Sequence, residues 1–277
     1  MRLPDPMVAA EACDLALPVG TIRRILEDSS PLAIAYSGGV DSSLLLALAG
    51  HWLGEHCLGV IADSPSLPRE SLEKALGQAT RFGATVEVIR TGEFDDPRYA
   101  SNPVNRCYFC KAELFSRMDA MARERGFRAI AYGENAEDPP ADRPGSVAAG
   151  EFSVLAPLRL AGMRKADIRR LAAELGLPTA SAPAQPCLSS RIPHGVPVTR
   201  EAVGLIERAE AALRAMGFRI LRVRWQPGDQ AAALVQVAPD ELGMLQKKRD
   251  KVVSAVLGAG FASVELDPVG YRGAGLL

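Results

Sequence analysis

Pro31-Leu32-Ala33-Ile34-Ala35-Tyr36, running into Ser37-Gly38-Gly39-Val40-Asp41-Ser42-Ser43, decides the fold. The first six residues form a short apolar run that stops at paired glycines, which reads as a buried strand and a tight turn. Asp41 to Leu53 continues as a strongly apolar helix. Paired glycines let the backbone turn sharply and bring N–H groups against an anion with no Cβ in the way. The start of the next helix adds unsatisfied donors and the positive end of a dipole. Ser37, Ser42 and Ser43 supply hydroxyls, and Asp41 can cap the helix or hold Mg²⁺. No lysine follows a second glycine at Walker spacing, so this is a phosphate loop of another kind. The plain alternative is an ordinary strand-to-helix turn, in which Gly-Gly and Asp-Ser are common.

Outward from that loop, strands and helices alternate. Cys57 to Ala62 reads as a second strand, Pro68 to Phe82 as a helix with proline in its first turn, and Ala84 to Arg90 as a third strand. A helix from about Lys111 to Arg125 precedes a fourth strand, Phe127 to Tyr132. Such alternation predicts an α/β fold, a doubly wound parallel sheet with ligands at the carboxyl ends of its strands. The irregular stretches Thr91 to Cys110 and Glu134 to Ser153 both follow strands and fall on that side. After a helix from Lys165 to Leu175 comes a proline-rich passage, Leu177 to Val198, of the kind that carries function. The remainder reads helix (Thr199 to Met216), two strands (Ile220 to Trp225, Ala232 to Val237), helix (Asp240 to Leu257) and strand (Ala262 to Leu266). The expected division is a nucleotide-binding domain over 1–176, a cysteine-bearing loop over 177–198, and a smaller C-terminal α+β domain over 199–277.

The 277 residues suit one main domain and a smaller one. With 48% apolar and 23% charged residues the composition is that of a globular protein. A net charge of −1 gives no global pull toward nucleic acid or an anionic membrane, so anionic partners must be held locally. The N-terminus lacks the basic head and apolar run of a signal peptide, and no stretch reaches the ~18 apolar residues of a membrane span. The expected location is cytoplasmic. There, five cysteines are not a disulfide framework but candidates for metal binding or reaction.

Three cysteines stand out. Cys107-Tyr108-Phe109-Cys110 lies on the ligand side, and Cys187 lies in the proline-rich loop. A redox pair would open a helix in a thioredoxin-like context, which is absent here. A zinc site needs four ligands, and only His51, His56 and His194 add to the cysteines. Three thiolates on a [4Fe–4S] cluster leave one iron open, as sulfur transfer would require. Cys13 and Cys57 read as buried apolar residues. Arg191 and His194 follow Cys187 closely and can favour its thiolate or bind a leaving phosphate. Lys165 opens a helix and can reach phosphates, or else is simply solvated. Arg222 and Arg224 share one face of a strand, where two planar forks suit a phosphate.

The loop Ser37 to Ser43 resembles the pyrophosphate loop, S-G-G-x-D-S, of the ATP pyrophosphatase (adenine nucleotide α-hydrolase-like) superfamily. That superfamily cleaves ATP between the α and β phosphates. Asn105-Arg106-Cys-Tyr-Phe-Cys-Lys111, Gly133-Glu134-Asn135, Pro157-Leu158, Lys165 to Arg169, Cys187 to Gly195, and Gly270-Tyr271-Arg272 together resemble the LarE family. The resemblance runs from about residue 18 to the end. Gly133-Glu134-Asn135 departs from the Gly-Thr-Asn frequent there.

The resemblance implies an ATP-dependent sulfur transferase using ATP, Mg²⁺ and a [4Fe–4S] cluster, with pyridinium-3,5-biscarboxylic acid mononucleotide as its small-molecule substrate. It implies Ser37, Gly38, Gly39, Asp41, Ser42 and Ser43 at the nucleotide, with adenine against backbone near Ala62 to Ser64, and Lys165 and Arg191 join that set by their position and charge. Arg222 and Arg224 would hold the substrate phosphate, Cys187 would handle sulfur, and Cys107, Cys110 and Cys187 would hold the cluster. A symmetric homo-oligomer and a protein supplying sulfide complete the expectation, with no nucleic-acid or membrane partner. A tRNA thiolase uses a similar loop and cluster, but would show a basic surface and an RNA-binding appendage. An adenylating amide synthetase would leave the cysteine loop unexplained.

Overall fold

The structure, a computed structural model, describes residues 3–138, 144–228 and 230–271. The chain divides into two compact units. The first comprises Met1–Ser64, Arg69–Glu93 and Asn105–Gln185, and the second Pro65–Pro68, Phe94–Val104 and Pro186–Leu277.

The first unit is built on four parallel strands, β1 (Leu32–Ala35), β2 (Cys57–Asp63), β3 (Val86–Arg90) and β4 (Ala129–Tyr132), in the order β3-β2-β1-β4. Ala33 sits opposite Leu58 on one side and Ile130 on the other. Strands buried on both faces need continuous apolar runs, and Leu32, Ala33, Ile34, Val60 and Ile61 are all fully or nearly fully buried. The helix Val40–Leu53 is apolar all round, with every residue from Ser42 to Ala49 buried, as a helix inside a core must be. It packs on β1 and β2 and also against the helices Ala16–Asp28 and Lys165–Glu174. The helix Arg106–Arg125 packs against β1 and β4 with Phe115, Met118 and Met121, in one cluster with Ala33, Val60 and Tyr132. It ends at Gly126, whose φ of 75° permits the left-handed stop.

Strand order reverses beside β1. Chain continuation goes to β2 and β3 on one side and to β4 on the other, so a crevice opens at the carboxyl ends of β1 and β4. Ser37–Ser43 follows β1, and Gly133–Asn135 follows β4. A Cβ on Gly133 would stand 2.6 Å from the Ser42 backbone nitrogen, so only glycine lets these two segments meet.

The second unit carries β5 (Leu221–Gln226), β6 (Ala232–Val237) and β7 (Ser263–Leu266), in the order β5-β6-β7. β5 and β6 run antiparallel, and β6 and β7 run parallel. One face, with Leu221, Val223, Val235 and Val237, is buried under the helices Arg200–Ala215 and Arg249–Gly258. Thr199 caps the first of these by accepting from the Ala202 N–H at 3.0 Å. The single helix expected over Asp240 to Leu257 is instead a short 3₁₀ turn, Pro239–Glu241, then Leu242–Lys247 and Arg249–Gly258. At the break Lys248 turns back, and its Nζ donates to the Met216 carbonyl at 2.6 Å. Among the described residues no helix is long and apolar enough to cross a membrane.

Candidate active site

The phosphate loop has accessible backbone and internally ordered hydroxyls. Ser37 and Gly39 are exposed, while Ser42 and Ser43 are buried in the first turn of the helix. Ser42 Oγ lies 3.0 Å from Ser37 Oγ, accepts from the Ser37 N–H at 3.1 Å and donates to the Gly39 carbonyl at 3.2 Å. Gly38 has a φ of 75°, and a Cβ there would stand 2.8 Å from the Ala75 Cβ. Both backbone conformation and space therefore require glycine.

Asp41 and Lys165 meet at this loop. Lys165 Nζ donates to both Asp41 carboxylate oxygens at 2.8 Å, and the Asn135 amide donates to Asp41 at 3.4 Å and to Asp138 at 2.9 Å. The Lys165 N–H donates to Glu137 at 3.1 Å, which fixes the start of its helix against the loop after β4. The switch point thus gathers a carboxylate, an ammonium and open backbone donors, the groups an ATP·Mg²⁺ complex requires. At the end of β2, Arg69 pairs with Asp63 at 2.6 Å and donates to the Ser64 carbonyl at 2.9 Å, ordering the backbone near Ala62.

Glu134 points away from this cluster. Its carboxylate accepts from Ser146 Oγ, and from Arg159 at 3.0 Å. Burial pushes the Glu134 carboxyl up, yet hydrogen bonds from Ser146, Tyr132 and Arg159 together hold it below its ordinary value. Burial also pushes the Tyr132 hydroxyl well up. The departure at Glu134 therefore serves to anchor the segments after β4.

Cys107 and Cys110 lie within the first five residues of the helix Arg106–Arg125, which begins five residues earlier than its periodicity predicts. At i and i+3 they share one helix face. Cys107 is exposed and Cys110 half-buried. Lys111 Nζ lies over the Tyr132 ring, 4.4 Å from its centroid. Cys13 and Cys57 are buried, and burial pushes the Cys57 thiol up to about 12 and raises Cys13 as well. Both are inert neutral thiols in the core.

Cys187 belongs to the second unit, half-buried at the start of the 3₁₀ turn Leu188–Arg191. Arg191 does not project as a phosphate ligand. Its side chain is 2% exposed and clasps Glu210, Nε to one carboxylate oxygen at 2.8 Å and one terminal nitrogen to the other at 3.0 Å. The other terminal nitrogen donates to the carbonyls of Pro186 at 2.6 Å and Cys187 at 3.0 Å. The guanidinium is thus committed to holding the cysteine loop. Glu210 also accepts from Arg214 at 2.8 Å and from the Val223 N–H at 3.1 Å. Arg191→Met is expected to lower unfolding stability by about 3 kcal/mol, since it removes the buried bidentate partner of Glu210 and leaves that carboxylate only Arg214 and the Val223 N–H. Urea denaturation measures this, and Arg191→Met with Glu210→Leu is expected to recover part of the loss.

Sequence reasoning missed the rest of this clamp. The Asn102 amide donates to the carbonyls of Pro193 at 2.7 Å and Val196 at 2.8 Å, and Gly195 N–H donates to the Asn102 carbonyl at 2.9 Å. Tyr99 and Ser189 hydroxyls lie 2.8 Å apart, and the Leu188 N–H donates to the Ser66 carbonyl at 2.8 Å. The one local signal is Asn102 itself, whose φ of 56° suits asparagine better than most residues. His194 is exposed.

Arg222 and Arg224 lie on the sheet face opposite the core. Arg222 is 7% exposed, donates to the Leu221 carbonyl at 2.7 Å and stands 4.8 Å from the Tyr271 ring centroid. Burial and then the nearby Arg191 draw its pKa down, against Glu210 and Tyr271, which raise it. Arg224 is half-buried and donates to Gln236 at 2.6 Å. Arg272 lies outside the described residues. Within each unit, no three His, Cys, Asp or Glu side chains among the described residues gather as a metal site.

No protein-family model matches the chain. It is 37% identical over 253 residues to an uncharacterized protein of Synechocystis sp., covering 91% of this chain and 93% of the relative. Pyridinium-3,5-bisthiocarboxylic acid mononucleotide synthase of Lactiplantibacillus plantarum is 31% identical over 259 residues, 93% of each chain. A glutamine-hydrolyzing GMP synthase of Aeropyrum pernix is 26% identical over 220 residues, 71% of this chain and 41% of that protein.

Proposed function

Since the chain belongs to the LarE family of pyrophosphate-loop enzymes, we propose that it uses ATP to adenylate a carboxylate of pyridinium-3,5-biscarboxylic acid mononucleotide and then converts it to a thiocarboxylate. The observation that carries this reading is the Ser37–Ser43 loop at the sheet's switch point, with Asp41 and Lys165 paired beside it. A carboxylate is a poor acyl donor because oxide is a poor leaving group. Adenylation replaces that leaving group with AMP. Backbone N–H groups of the loop hold the pyrophosphate, Lys165 neutralises its charge, and Asp41 provides the hard oxygen that Mg²⁺ prefers. Arg222 and Arg224 hold the phosphate of the substrate. Cys187 is the sulfur-handling residue, with its loop held by Arg191 and Asn102.

Cys107, Cys110 and Cys187 suit a [4Fe–4S] cluster as a donor set. All three are at least partly accessible, whereas the two remaining cysteines are buried. Bound there, the cluster would supply an iron with a vacant position for sulfur.

Incubation with ATP, Mg²⁺, the biscarboxylic mononucleotide and sulfide without oxygen tests the reading. AMP and pyrophosphate are the expected products, and substrate-dependent ADP as the only nucleotide product overturns it. Anaerobic iron–sulfide reconstitution is expected to give broad charge-transfer absorption. Full iron content in Cys110→Ala would refute the three-cysteine assignment.

A further inference from the structure

Tyr271 and the turn that delivers it form a closed path between the two arginines of β5. Arg224 Nε donates to Gln236 Oε1 at 2.6 Å, and Gln236 Nε2 donates to Asp267 Oδ2 at 2.6 Å. The other Asp267 oxygen accepts from the N–H groups of Val269 at 2.8 Å and Gly270 at 3.3 Å, which closes the turn after β7. Gly270 has a φ of 83°, and a Cβ there would stand 2.8 Å from the Val237 carbonyl oxygen. The turn can therefore press against β6 only with glycine at that point. The next N–H, that of Tyr271, donates to the Val237 carbonyl at 2.6 Å. This pins the tyrosine at the sheet, with its ring 4.8 Å from the Arg222 guanidinium carbon. Arg222 sits opposite Gln236 in the register, so all of these groups stand on one sheet face.

We infer that Tyr271 is a positioning residue that orients Arg222 and, through the Asp267 turn and Gln236, keeps it in register with Arg224 for a terminal phosphate. The inference rests on the reading that these two arginines bind the phosphate of the substrate. An arginine side chain has many rotamers, and two forks bind one phosphate well only when both are held in plane. An aromatic ring against one guanidinium supplies that restraint.

Calorimetry on the full chain tests this with two probes, pyridinium-3,5-biscarboxylic acid mononucleotide and its dephosphorylated nucleoside, alongside the KM for ATP. Tyr271→Leu is expected to weaken mononucleotide binding by about tenfold while nucleoside binding and the ATP KM stay unchanged. Tyr271→Phe keeps the ring but loses the hydroxyl's hydrogen bond with Arg222, and its affinity is expected to fall between those of Tyr271→Leu and the unaltered protein. Gln236→Leu cuts the path without touching Tyr271 and is expected to weaken the mononucleotide selectively too. If Tyr271→Leu weakens both probes equally, or neither, while Arg224→Ala weakens only the mononucleotide, the positioning role is wrong and the phosphate reading stands. If the unaltered protein binds both probes alike and Arg224→Ala is silent, the phosphate reading itself fails.

Discussion

Cys187→Ala is expected to abolish thiocarboxylate formation altogether while ATP is still cleaved to AMP and pyrophosphate. Each group assigned to the ATP phosphates lies on the first unit, whereas Cys187 sits on a loop of the second that Arg191 and Asn102 hold by its carbonyls. Alanine keeps every one of those backbone bonds, because none of them involves the thiol. The loss should therefore be chemical, with little change in unfolding stability. Quantifying pyrophosphate and thiocarboxylate in the same reaction separates the two half-reactions, and residual thiocarboxylate in the variant would refute the assignment. The unaltered protein carries a second expectation. The paired Cys107 and Cys110 favour repeated turnover over donation of the Cys187 sulfur itself. Intact mass after anaerobic turnover should show Cys187 unchanged and more than one sulfur delivered per chain. A stoichiometric loss of ~34 Da at Cys187, the mass of H₂S eliminated from a thiol side chain, would identify a sacrificial donor instead.

Asp41→Asn is expected to lower the rate of pyrophosphate release by about 10²–10³-fold while unfolding stability changes by only ~1 kcal/mol. The side chains of Asp41 and Lys165 are 16% and 40% exposed, so solvent screens the pair and its loss is modest in the folded chain. In the proposed reaction, catalysis asks more of the same carboxylate. An asparagine is isosteric but neutral, so it leaves Lys165 without its counter-charge and gives Mg²⁺ a weaker ligand. The comparison of a thermal melt with pyrophosphate release decides the matter. Equal damage to both would mean that Asp41 is a structural cap and no more.

The first unit was legible because its signals are local. Buried parallel strands must be apolar runs, and a glycine-paired turn between such a run and an apolar helix needs no distant information. The start of the helix that bears Cys107 and Cys110 was less legible. Asn105 precedes it but makes no side-chain capping bond, so nothing marks the first turn except the chain itself. Arg191 shows where reading along the chain stops. In a proline-rich loop it looks like a solvated cation beside a cysteine, and only the fold reveals that Glu210, on the helix Arg200–Ala215, buries it. Nor can periodicity assign Phe94–Val104 to the second unit. Those residues earn that place through hydrogen bonds from Asn102 and Tyr99 to residues some 90 positions later, and such bonds leave no repeat in the sequence.

The chain passes between its two units five times, at 64/65, 68/69, 93/94, 104/105 and 185/186. A unit assembled from three separate stretches cannot be inherited, excised or fused as a single contiguous cassette. Recombination near 176 would leave the cysteine loop without Asn102, Tyr99 and Ser66, and recombination near 198 would leave it without Glu210. Descent with this fold therefore requires both units to travel together in one reading frame.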